Sequence, residues 1–189
     1  EHIVAEYIYF AASLPSVWMD RPSPMTYEEF LLKAKEQLSA KDYKELEKAS
    51  FSHKDGGATN RIVKDWDRFN YFFKECITAE RARKLGKGNE SRYFNPDVKD
   101  QGLEKKARDI VMIKDPLQAE KAILSEYFDF LSSHEVQSPF SLDALIIYGL
   151  KLQIKERAEA FSREKGRAEF DHLYSDIQLE ITSRSDYGL

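Results

Sequence analysis

The stretch Trp66–Arg83 reads WDRFNYFFKECITAERAR, and an echo of it returns as Leu142–Glu159, LDALIIYGLKLQIKERAE. Asp67, Glu80, Arg81 and Ala82 recur as Asp143, Glu156, Arg157 and Ala158. Phe69, Phe72 and Cys76 recur as the apolar Leu145, Tyr148 and Leu152. Apolar residues three and four apart mark both stretches as long amphipathic helices. Helices favour Glu, Arg, Ala and Leu in any case, so the shared letters alone do not prove a duplication. Two similar helices in one chain still predict a repeated helical unit, an architecture commoner in scaffolds and couplers than in enzymes.

Signals outward from these helices are helical too. Thr26 followed by Glu29 is a capping box opening a helix with Phe30, Leu31, Ala34 and Leu38 on one face. A short helix follows, starting near Ser39 or Asp42. SHKDGGATN (Ser52–Asn60) lacks apolar periodicity and reads as a loop. The first long helix is expected over about 61–85, with Gly86 as its stop. Asn95-Pro96 and Asp115-Pro116 each pair a cap with proline at the first helical position. Ser141 caps the second long helix, expected to close at Gly166 before a last helix carrying Phe170, Leu173, Tyr174, Ile177 and Ile181. Ile3–Leu14 suits a helix or a strand. The expected fold is all-α: long antiparallel helices in two related units, about 26–95 and 96–189, within one helical domain of residues 1–189.

A chain of 189 residues with 42% hydrophobic content can bury an ordinary core without disulfides. The formal net charge of −4 argues against nucleic-acid binding by bulk charge. A lone cysteine cannot pair internally, and a cytoplasmic location is the expectation. No apolar run is long enough to span a bilayer.

Motifs of catalysis are weak. Gly56-Gly57 and Gly86-Lys87-Gly88 do not follow a strand, so neither reads as a phosphate loop. His2, His53, His134 and His172 match no metal-ligand spacing. Cys76 falls among Trp66, Phe69, Phe72 and Phe73, which predicts an inert core thiol. No catalytic, cofactor-binding or metal-binding residue is assigned. Arg81, Arg83 and Lys84, with counterparts Arg157 and Arg163, are the candidate partner contacts. Helix-dipole complementation is the simpler explanation of the first three.

Four segments carry a family resemblance. They are YIYFAASLP (Tyr7–Pro15), ERARKLG (Glu80–Gly86), DPLQAEK (Asp115–Lys121) and FSLDALIIYGLKLQIKER (Phe140–Arg157). In this order they resemble a bacterial family encoded alongside the V-type (A-type) ATP synthase. That family is similar in turn to the d-type central-stalk protein of V-type ATPases, a funnel of similar helical units. The resemblance implies a non-catalytic subunit or accessory factor, acting in central-stalk coupling or assembly of an ion-transporting, ATP-synthesising complex. It implies partners in the central stalk and membrane ring, and a cytoplasmic place peripheral to the inner membrane. The chain departs from the d-type protein in being shorter, with fewer helical units. The alternatives are a helical module with an unrelated partner and a small all-α enzyme with a buried carboxylate or histidine.

Overall fold

A computed structural model describes residues 7–51, 57–87, 100–134, 136 and 138–185, with side chains described as far as 163 and at 166 and 167. Every regular element among them is helical: α1 (Ile8–Ser13), α2 (Tyr27–Gln37), α3 (Ala40–Lys48), α4 (Arg61–Lys84), α5 (Gln101–Val111), α6 (Pro116–Ser132) and α7 (Leu142–Ser185).

The helices begin where local chemistry satisfies their first amides. Thr26 and Glu29 complete a reciprocal capping box on α2, and Ser39 caps α3 through the Asp42 amide. Asn60 accepts from the Ile62 and Val63 amides, and Asp115 accepts from Leu117 ahead of Pro116. At the far end of α4, Gly86 adopts φ 74°. The Lys87 amide donates to Ala82 and the Gly86 amide to Arg83, satisfying the last carbonyls in a Schellman turn.

One boundary differs from expectation. α7 does not stop at Gly166: the expected long helix and last helix are one helix of 44 residues. A helical glycine costs only about 1 kcal/mol relative to alanine, and no proline follows to force a break. α5 is capped at its start by Asp100, whose carboxylate accepts from Gly102 and Leu103. The expected cap Asn95-Pro96 lies outside the described residues, as do residues 1–6 of the opening segment.

α6 lies against α7 in the opposite direction, pairing Glu120 with Arg157 and Phe128 with Lys151. α6 also opposes α4 across an aromatic layer, in which Tyr127 meets Phe73 and Phe130 meets Phe69. α4 and α7 therefore run the same way, with Asn60 at the start of one bonded to Asp143 at the start of the other. α5 runs parallel to α4, since Arg108 faces Glu80 and the Val111 carbonyl faces Lys84. Long antiparallel helices are thus present as expected, α6 against both α4 and α7, while α4 runs parallel to α7 and to α5.

The core is centred on Trp66, Phe73, Tyr127, Leu131, Leu150 and Ile154, all buried. Each large apolar side chain removed from water contributes roughly 1.5–3 kcal/mol. α2 approaches α7 at Gly149, where an added Cβ would stand 2.9 Å from the Phe30 ring. Phe30 fills that gap and packs on Phe10 and Tyr148. The extended Ala49–Phe51 segment threads between the helices. Its carbonyls accept in turn from Gln153, from the Trp66 indole and from Asn70. The Phe51 amide donates back to Gln153. These side chains supply partners that a segment outside any helix would otherwise lack.

Candidate interaction surfaces

The charged residues singled out in the sequence fall into three settings. Arg83 lies 2.5 Å from buried Glu80, which Arg108 also approaches. Lys84 donates to the Val111 carbonyl at 2.6 Å, tying the end of α4 to the end of α5. Arg81, Lys84 and Leu85 line a cleft of about 360 Å³ whose other wall is Ile110, Val111, Ile113 and Ala119. Leu85 is 74% exposed and Met112 is 68% exposed at this same joined end. The result is an apolar edge with a cationic border.

Arg157 has internal work. Its Nε donates to Glu120 at 3.0 Å, and its guanidinium lies 5.2 Å from the centre of the Phe51 ring. Phe51 packs against Trp66 and Tyr127, so Arg157 closes over the Ala49–Phe51 segment. Arg163 is exposed and lines a second, larger cleft, described below. The Arg81 and Arg157 ends are therefore not one surface.

The echoed residues also differ in their contacts. Glu80 serves Arg83 and Arg108 within the α4–α5 pair. Glu156 instead accepts from the Tyr27 amide at the N-terminus of α2. One turn on, Glu159 accepts from the Ser23 amide at 2.6 Å. α7 thus uses two carboxylates to hold the chain leading into α2, where a negative charge meets unpaired amides and the positive helix end.

Other ionisable groups are committed to structure. Burial raises the Glu45 pKa, but the Lys48 ammonium and the Asn60 and Thr59 amides outweigh it and bring the value to about 2. Burial, reinforced by Glu104, Asp100, Glu80 and Glu75, pushes the Cys76 thiol up to about 11. His134 places Nδ1 3.1 Å from the Phe130 carbonyl and Nε2 3.6 Å from Asp65. Among the described residues, no three His, Cys, Asp or Glu side chains gather as a metal site would need. No described helix is long and apolar enough to cross a membrane. His2 and His53 lie outside the described residues, and the side chain of His172 is not described.

The sequence alone does not mark Leu85 or Met112. Leu85 sits next to the stop glycine and Met112 just past α5, where no local pattern in the sequence distinguishes an inward from an outward side chain. Only the fold shows both turned out. No protein-family model, no curated protein and no solved structure matches the chain.

Proposed function

We propose that this chain is a non-catalytic helical subunit or accessory factor that works by protein contact, and that its partner is a bacterial V-type ATP synthase. The observation that carries the contact role is the joined end of α4 and α5. Exposed Leu85 shares a cleft wall there with Arg81, exposed Met112 follows Val111 in the chain, and the Lys84–Val111 bond ties the two helix ends together. Apolar anchors with arginine close by are what protein interfaces favour.

The length of α7 supports a mechanical role. Its 44 residues span about 66 Å, against a diameter of roughly 40 Å for a compact globule of 189 residues. A helix longer than the body that holds it is suited to transmitting position between partners.

The resemblance of four segments to the ATP synthase-associated family supplies the partner. Two of those segments, Tyr7–Pro15 and Phe140–Arg157, are bound to each other. The Tyr7 amide donates to the Phe140 carbonyl, and the Tyr148 hydroxyl donates to the Pro15 carbonyl. Co-elution of the purified chain with reconstituted central-stalk proteins tests the partnership. A stable complex supports it, and separate elution of all components contradicts it.

A further inference from the structure

A second cleft, of about 720 Å³, lies between the Met19–Pro22 segment, α6 and α7. Its volume is in the range of ligand sites, and it opens to solvent. We propose that it binds a carboxylate-rich, amphipathic segment of a partner protein. The inference rests on the contact role proposed above and assigns a chemistry to a separate surface.

Arg21, Lys121, Lys155 and Arg163 line the cleft, against Asp20 and Glu159. The chain as a whole carries a formal charge of −4, so this face reverses the overall sign. Glu159 is moreover engaged by the Ser23 amide at 2.6 Å and stands 3.8 Å from the Lys155 ammonium. With Lys155 and Glu159 offsetting each other, Arg21, Lys121 and Arg163 outweigh Asp20, and a cleft with such an excess of one sign concentrates ligands of the other.

The site is built, not merely a surface of flexible lysines. Lys155 is only 5% exposed, and its ammonium donates to the Met19 carbonyl at 3.0 Å. That bond and the Ser23–Glu159 bond pin one wall of the cleft to α7. Met19, Pro22 and Ala158 add apolar lining between the cations. A bare ion would leave that lining wet, whereas alternating acidic and apolar side chains satisfy both. The open side admits a length of polypeptide more readily than it encloses a small metabolite.

The test uses the purified full chain and a short fluorescein-labelled peptide alternating Glu and Leu, followed by fluorescence anisotropy at low salt. Saturable binding that weakens as salt is raised is expected. Replacing Glu by Gln in the peptide, or introducing Lys121→Glu with Arg163→Glu in the protein, weakens binding at least about tenfold. Both protein positions are exposed, and an unchanged thermal melt confirms folding. Arg81→Glu, on the other surface, leaves peptide binding unaltered. Equal binding of the Gln peptide, indifference to the double reversal, or full displacement by inorganic phosphate would each overturn the proposal. The assay contains no component of the ATP synthase, so its failure leaves the partnership standing and failure of the partnership leaves it untouched.

Discussion

Glu156 reaches from α7 to the first residue of α2, where its Oε1 accepts from the Tyr27 amide at 2.6 Å. The capping box of Thr26 and Glu29 satisfies other donors of the same turn. α2 is thus capped once by its own sequence and once by a helix far along the chain. The second cap fixes α2 against α7 at the crossing that Gly149 permits.

Removing that distant cap is expected to loosen the α2–α7 contact. Glu156→Ala loses a charge-assisted bond to a helix N-terminus, which amounts to about 1–2 kcal/mol. Glu156→Gln keeps an acceptor and loses the charge, so its cost is smaller. Urea denaturation ranks the two variants. An alanine variant as stable as the parent would show that the contact contributes nothing in solution.

The Glu45 carboxylate gives stability a defined acid limb. Its folded pKa is about 2 against an ordinary 4.5, so the folded state favours the ionised form. Its contribution is complete above about pH 4.5 and is lost as pH falls through about 2. The linkage corresponds to on the order of 3 kcal/mol. Melting temperatures across this window should fall more steeply for the parent than for Glu45→Gln. Parallel curves would refute the assignment.

Gln153 is the hinge pin of the Ala49–Phe51 segment, donating to one backbone carbonyl and accepting from one amide. Gln153→Ala leaves the Phe51 amide without its acceptor and is expected to cost about 1–3 kcal/mol. The exposed control Lys33→Ala should stay within about 0.5 kcal/mol of the parent. Chemical denaturation of the two side by side decides the matter, and equal effects would count against the role given to Gln153.

Cys76 is buried, and its thiol is pushed up to about 11. Little thiolate forms near neutral pH. A disulfide reagent at pH 8 should label the folded protein slowly and the urea-unfolded protein at once. Prompt labelling of the native form would place the thiol at the surface.

The parts of the fold legible in the sequence are those set by neighbours a few residues apart. Thr26 with Glu29, Ser39, Asp115 with Pro116, and Gly86 each act within one turn, and each acts in the structure as the sequence predicts. Gly166 misled because a glycine stops a helix only where the next residues leave it, and those after it stay helical. The lining of the two clefts is half legible in the sequence. The cations at the end of α4 stand out in the sequence, and Arg81 and Lys84 do line a cleft. That Arg83 is held by Glu80, and that Arg157 serves Glu120 and Phe51, depends on pairings the fold creates. Lys121, Lys155 and Arg21 come from three separate segments, so no local pattern joins them.

The central claim is a partnership made through the joined end of α4 and α5, and affinity capture from detergent-solubilised native bacterial membranes tests it most directly. The tagged full chain and the variant Arg81→Glu with Leu85→Asp, both exposed positions, are compared by quantitative mass spectrometry of the captured proteins. The account predicts that V-type ATP synthase subunits are enriched with the parent and fall at least about tenfold with the variant, while both chains melt alike. Absence of those subunits from the parent capture, or their equal recovery with the variant, would contradict it.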